Sequence, residues 1–335
     1  STMSHNTWNI LVTGGAGYVG SALVPALLDA GHRVTVLDLY LYGEDVLGDV
    51  RGHQSLREVK GDLRDKTVVE DALNKCDAVI HLACISNDPS YDLNPDLGKS
   101  INFDAFRPLV RMAKGAGVKR FIYASSSSVY GIKNDPKVTE DLPLEPLTNY
   151  SKFKALCEEA LEDEREPGFV TCTIRPSTVC GYAPRQRLDV IVNILTNHAV
   201  NRGRIRIFGG SQKRPNIHID DMVDLYLFLL QQPDERIDGT IYNAGYENYT
   251  LMELAEIVKT VIGDDLPIDI EPTDDLRSSH VCSEKIREEL GFEPTHSIEE
   301  AVRSLMRAFK SGKLPNSMED ARYFNIKMMK DTALK

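Results

Sequence analysis

The sequence predicts an α/β protein built on a doubly wound parallel sheet with a smaller C-terminal lobe. Three observations carry that expectation. A glycine-rich run, Gly14-Gly15-Ala16-Gly17-Tyr18-Val19-Gly20, lies between a short apolar run and an amphipathic one. Strand-like and helix-like runs then alternate as far as residue 180, the pattern of a parallel sheet with helical crossovers. Beyond Gly181 the chain breaks into shorter pieces punctuated by glycine and proline.

Taken in order, Trp8 to Val12 reads as the first strand, Tyr18 to Ala30 as a helix, and Arg33 to Leu37 as a second strand ending in Asp38. Strand-like runs follow at Leu56 to Lys60, Ala78 to Leu82, Arg120 to Ala124 and Phe169 to Ile174. Between them lie helix-like runs at Thr67 to Lys75, Asp104 to Gly115 and Tyr150 to Glu164. The expected division is a first domain over 3–180, a lobe over 181–312 whose chain is partly interleaved with it, and a polar tail over 313–335 lying across the surface.

The glycines satisfy G-x-G-x-x-G at Gly15, Gly17 and Gly20, and a second variant with Gly14 leading. Such a run between a strand and a helix is a dinucleotide fingerprint. The glycines permit a tight turn, close approach to a pyrophosphate and close packing of helix on strand. The free N–H groups and dipole of the following helix favour the phosphates. Asp38 lies at the spacing of a carboxylate that hydrogen-bonds the adenosine ribose, and it would repel a 2′-phosphate. No Arg or Lys follows immediately, so the cofactor expected is NAD.

A net charge of −11 argues against general binding to nucleic acid or anionic membranes. No apolar run reaches the roughly 18 residues of a membrane span. The six cysteines, at 76, 84, 157, 172, 180 and 282, form no C-x-x-C pair and read as reduced thiols of a cytoplasmic protein. Neither they nor His81, His218 and His280 show the spacing of a metal site, so none is expected.

Tyr150 and Lys154 are four apart on a helix-like run and share a face. A free tyrosine, with a pKa of about 10, is a poor base at neutral pH, but a neighbouring ammonium and a cationic nicotinamide ring both favour its phenolate. A serine run, Ser125 to Ser128, lies upstream at the end of a predicted strand, where ligands of doubly wound sheets bind.

These pieces together resemble the extended short-chain dehydrogenase/reductases of the nucleotide-sugar epimerase/dehydratase family, whose sheet is Rossmann-like. Thr13 to Gly20, Asp38, Gly61-Asp62-Leu63, His81-Leu82-Ala83, Asn102, Ser125-Ser126 with Val129-Tyr130-Gly131, Tyr150 to Lys154, Arg175-Pro176 and Gly209 to Arg214 carry the resemblance, which spans nearly the whole chain. It implies that Tyr150 takes a proton from a sugar hydroxyl, that Ser126 hydrogen-bonds the same oxygen, and that Lys154 holds the nicotinamide ribose. It places Gly14, Gly17, Tyr18, Val19, Gly20, Asp38, Asp62, Leu63, Leu82, Ala83, Asn102 and Pro176 at the cofactor. A homodimer through helices near 104–116 and 150–164 is implied as well.

Ser127 and Ser128 stand where dehydrating relatives place an Asp-Glu pair and where decarboxylating or 3,5-epimerising ones place a Glu or Cys. Elimination needs a general acid and base that serines do not supply. What remains is C4 chemistry on a nucleotide-diphospho-sugar, most often epimerisation, with a dehydrogenase or 4-keto reductase, possibly on an activated heptose, using the same Ser, Tyr and Lys. An NAD-linked alcohol dehydrogenase and a non-catalytic NAD-binding regulator remain the other readings.

For the substrate, the resemblance points to Arg214 as a diphosphate clamp, a task suited to a guanidinium. Arg187 and Asn193 lie on a segment that could close over the nucleotide. Thr178 stands where many relatives carry an Asn, and Arg277 substitutes for an Arg missing at Glu271-Pro272. Ser86 and Asn87 are expected to border the sugar.

Overall fold

The computed structural model describes residues 7–85 and 88–332, the side chains of Asp88 and Pro89 excepted. Ser86 and Asn87 lie outside the described residues. Among those described, the strands are β1 (Asn9–Thr13), β2 (Arg33–Asp38), β3 (Leu56–Lys60), β4 (Ala78–His81), β5 (Arg120–Ala124), β6 (Val170–Pro176), β7 (Thr178–Cys180), β8 (Ile205–Phe208), β9 (Lys213–His218), β10 (Thr240–Ala244), β11 (Asn248–Thr250) and β12 (Ile268–Glu271). The helices are α1 (Tyr18–Asp29), α2 (Lys66–Leu73), α3 (Asp88–Leu93), α4 (Pro95–Lys99), α5 (Phe106–Gly115), α6 (Asn149–Asp163), α7 (Ile191–Arg202), α8 (Ile219–Leu230), α9 (Asp234–Ile237), α10 (Leu251–Ile262), α11 (Glu284–Leu290), α12 (Ile298–Lys310) and α13 (Asn325–Thr332).

Seven strands form one parallel sheet in the order β10-β6-β5-β4-β1-β2-β3. Its inner strands are covered on both faces, which is why β4 reads Ala-Val-Ile-His with no solvent-facing alternation and is buried throughout. One face packs Leu23, Leu27, Met222 and Tyr226, from α1 and α8, on Ile10, Val12 and Ile80. The other packs Leu109, Val110 and Leu161, from α5 and α6, on Leu11, Val79 and Phe121. The apolar positions of α5, Phe106, Leu109, Val110 and Ala113, follow the 3.6-residue period of a half-buried helix.

The helix expected from Asp104 is preceded by a π-helical turn, Ser100–Asp104, in which Ile101 and Asn102 are both buried. After β7 the chain builds a second core from α7, α10 and α12 over Ile205 and Ile207 of β8. It does not stay there. β10 returns to the large sheet and pairs with β6, and α8 packs on α1.

The tail departs from the expectation of a segment lying across the surface. Leu314 and Tyr323 are buried with Leu188 and Ala308, and Met329 of α13 is buried beside Tyr91, with Tyr150 and Phe153 packed against the same cluster. Its apolar residues are far apart in sequence and show no period until the partners are folded.

Candidate active site

The carboxyl ends of β1, β2, β4, β5 and β6 open on a cavity of about 640 Å³, within the range of small-molecule and cofactor sites. At one end is the glycine turn. Gly14 has φ +73°, and a Cβ there would lie 2.8 Å from the Ala83 nitrogen; one at Gly20 would lie 2.4 Å from the Gly14 oxygen. Gly14, Gly17, Tyr18, Val19 and Gly20 all line the cavity.

Asp38 closes β2 with its carboxylate facing this turn, accepting from the Ala16 N–H at 2.9 Å and the Tyr40 N–H at 2.7 Å. Burial raises its pKa above the ordinary value, and those two N–H bonds oppose the rise. Asp62 is paired with Arg64 at 2.6 Å and held low by that hydrogen bond. Leu63, Leu82, Ala83 and Pro176 line the walls.

Thr13 joins β1 to β4. Its hydroxyl accepts from the Leu82 and Ala83 N–H groups at 3.1 and 3.2 Å and lies 2.6 Å from His81 Nδ1. With two bonds accepted, the hydroxyl proton points at Nδ1, which sets the Nε2–H tautomer of His81. Burial, reinforced by the charge of Lys154, pushes His81 down to about 3.

The other end is built on β5 and α6. Ser125 donates to Glu158 Oε2 at 2.6 Å, and Ser126 caps a 3-10 turn, Ser127–Tyr130, by accepting from the Ser128 N–H at 3.1 Å. Gly131 ends that turn at φ +72°, where a Cβ would lie 2.1 Å from the Glu145 oxygen. Helix α6 starts one residue before Tyr150 because Thr148 caps it, accepting from the Ser151 N–H at 3.2 Å.

Tyr150 and Lys154 then face the cavity one turn apart, with Lys154 Nζ 5.9 Å from the Tyr150 ring centre and donating to the Ala124 carbonyl at 2.8 Å. Burial pulls the Lys154 pKa down, but Cys84, Tyr150 and Cys157 outweigh it and leave it above the usual value, so the group stays an ammonium. One turn further, Glu158 takes the guanidinium of Arg175 at 2.7 Å, with side chains only 6% and 3% exposed. Arg175, at the end of a strand that points to the cavity, is thus an anchor for α6; its Nη1 also donates to the Tyr130 hydroxyl at 2.8 Å.

Thr178, Arg187, Arg214 and Arg277 all line the cavity. Arg214 Nη1 donates to the Arg277 carbonyl at 2.6 Å, and Arg277 holds Asp275 at 2.7 Å, which groups these two on the lobe. Arg187 sits elsewhere. It pairs with Asp189 at 2.8 Å and its charge acts on Tyr18, beside the glycine helix.

Two expectations are corrected. Asn102 does not line the cavity; it is 5% exposed and its amide pairs with both the N–H and the carbonyl of Ile85, at 2.7 and 3.1 Å. Asn193 is fully buried and joins lobe to sheet, accepting from the Gly181 N–H at 3.0 Å and donating to the Tyr18 hydroxyl at 3.1 Å. Both are amides with donor and acceptor to satisfy, and neighbouring backbone does so before any ligand can.

Sequence reasoning passed over Thr148, Ser151, Glu158 and Asn325. Glu158 was within reach, lying four residues after Lys154 on the same face. Asn325, which lines the cavity and accepts from the Arg185 guanidinium at 2.5 Å, comes from the far end of the chain and left no local signal.

Fold and cavity define a Rossmann-like α/β protein in which a glycine turn, a tyrosine and a lysine share one cavity. A family model described as "NAD dependent epimerase/dehydratase family" matches residues 10–245. The chain belongs to that family and is an enzyme.

It is similar to the UDP-glucose 4-epimerase of Lactobacillus helveticus, 29% identical over 335 residues, with 93% of this chain and 99% of that protein covered. Among solved structures it resembles the UDP-N-acetylglucosamine 4-epimerase of Methanobrevibacter ruminantium M1, in complex with UDP-N-acetylmuramic acid (TM-score 0.83, 25% identity, 92% and 99% of the two chains covered). DesIV, the dTDP-glucose 4,6-dehydratase of Streptomyces venezuelae with NAD bound, matches at TM-score 0.81 and 27% identity, with 92% of this chain and 99% of that one covered.

NAD is the family's cofactor. The residues present fit it: a cradle that side chains would fill, the N-terminus of α1 at the cavity, and Asp38 at the end of β2.

Proposed function

We propose that this enzyme is a nucleotide-diphospho-sugar 4-epimerase. The observation that carries the reading is the meeting of Ser126, Tyr150 and Lys154 with the glycine turn in one cavity. When bound, NAD supplies a reversible hydride acceptor. Tyr150 removes and returns the proton of the C4 hydroxyl, Ser126 hydrogen-bonds that oxygen, and Lys154 favours the phenolate while holding the nicotinamide ribose. Arg214 and Arg277 hold the substrate diphosphate, and Thr178 lies beside them; Arg187 closes the cofactor half. Gly14, Gly17, Gly20, Asp38, Asp62 and the walls at Leu63, Leu82, Ala83 and Pro176 hold the dinucleotide.

The 4-epimerases of UDP-glucose and UDP-N-acetylglucosamine to which the chain is similar support a UDP-linked hexose. Ser127 and Ser128 supply no acid or base for dehydration. The test is NMR and mass spectrometry of products from a panel of UDP-, GDP-, CDP- and dTDP-linked sugars. An unchanged mass with inverted C4 establishes the epimerase, loss of two hydrogens a dehydrogenase, and loss of water a dehydratase.

A cytoplasmic homodimer through α5 and α6 completes the proposal. The assembly is tested by light scattering, with Leu156, exposed on α6, changed to Glu. Among the described residues no helix is long and apolar enough to cross a membrane.

A further inference from the structure

We infer that Ser128 and Ser151 are positioning residues that commit the Ser126 hydroxyl to donating its proton to the substrate oxygen. The inference rests on the epimerase reading of Ser126 and Tyr150.

Four hydroxyls run in series from the cap of α6 to Ser126. Thr148 Oγ1 donates to Ser151 Oγ at 3.0 Å, and Ser151 Oγ donates to Ser128 Oγ at 2.9 Å. Ser128 Oγ lies 2.8 Å from Ser126 Oγ, and the Ser128 N–H donates to the same Ser126 oxygen at 3.1 Å. A hydroxyl carries one proton and two acceptor sites. Either oxygen can be the donor between Ser128 and Ser126; we take Ser128 as donor, the sense that continues the series, because the reverse would spend the only proton of Ser126 on Ser128 and leave none for the substrate oxygen. Ser126 then accepts two bonds, one from the amide and one from the hydroxyl of Ser128, and its acceptor sites are filled. Its remaining proton is turned to the cavity it lines with Tyr150.

A hydroxyl saturated as acceptor cannot take the sugar proton, so that proton is left to Tyr150. As the sugar alcohol becomes a ketone, its oxygen loses its own donor proton and gains from a fixed donor. Aligned O–H groups in series strengthen one another, which makes the Ser126 donor better than an isolated serine. The network therefore stabilises the ketone state. Ser151, the link that joins α6 to the serine run, is 2% exposed.

The test compares Ser128→Ala, Ser151→Ala and Ser128→Thr in the NAD-loaded enzyme. Ser128→Ala is expected to lower kcat about tenfold, the worth of one hydrogen bond, with KM unchanged within about twofold. The fraction of nicotinamide found reduced at equilibrium with substrate should fall in parallel, read from its absorbance. NAD affinity by calorimetry should not change. Ser151→Ala is expected to fall the same way by about threefold, and Ser128→Thr, which keeps the hydroxyl, should recover most of the loss.

An unchanged reduced fraction in Ser128→Ala, or a loss that appears in KM or NAD affinity instead of kcat, overturns the inference. If Tyr150→Phe and Ser126→Ala keep full activity, the epimerase reading itself fails. If they are inactive while Ser128→Ala is silent, the hydroxyl series alone fails.

Discussion

Replacing Arg175 by Met removes one half of an ion pair that water does not reach. The guanidinium donates to Glu158 at 2.7, 3.1 and 3.2 Å and to Tyr130 at 2.8 Å, and without it Glu158 keeps the Ser125 hydroxyl as a donor. Breaking a buried pair from one side costs about 3–5 kcal/mol, chiefly because the surviving charge stays buried and uncompensated. At about 2.1 cal/mol/K per residue, 335 residues give an unfolding entropy near 0.7 kcal/mol/K, so the melting temperature should fall by about 4–7 °C. Scanning calorimetry measures it. The double variant Arg175→Met with Glu158→Leu should regain much of the loss, since no lone charge remains. A fall under about 1 °C for Arg175→Met, or a double variant no better than the single, would refute the reasoning.

His81 is buried neutral at about 3, whereas an unfolded histidine titrates near 6.5. The unfolded chain therefore binds the extra proton, and stability present above pH 6.5 is lost as pH falls from there towards 3. His81→Gln should flatten melting temperature against pH across that window; an unchanged slope counts against it. Gly20→Ala, whose Cβ would stand 2.4 Å from the Gly14 oxygen, should abolish NAD binding by calorimetry, and normal affinity would disprove the close approach. Tyr150→Phe should lose activity by at least about a hundredfold, the range of general acid–base catalysis, while still binding UDP. Truncation before residue 313 removes buried Leu314, Tyr323 and Met329, and should lower both melting temperature and NAD retention.

The large sheet and its ligand edge were legible because their signals are local. Gly14 to Gly20 sits between two periodic runs, Asp38 ends a strand, and Tyr150 and Lys154 share a helix face. What escaped depends on partners distant in sequence. Asn102 and Asn193 have side chains suited to a ligand, yet their amides meet backbone at Ile85 and Gly181. The π turn before α5 carries no composition cue. The tail reads as polar because its few buried residues are far apart and split between two patches, Leu314 and Tyr323 in one and Met329 in the other. In the sequence Ser127 and Ser128 bear only on what they exclude, while Ser128 takes its place in the hydroxyl series through Ser151, a contact across 23 residues.

The return of β10 to the large sheet has a bearing on synthesis. Strand β6 is complete at Pro176, but the neighbour that covers its outer edge begins at Thr240. While residues 177–239 are being added, the nascent sheet presents a strand edge with unpaired backbone groups, the kind of edge that recruits other chains. At about 5–20 residues per second, that window lasts roughly 3–13 s. Slower translation, or a longer insertion between β7 and β9, prolongs it and should show as aggregation during expression, with the finished protein unaffected.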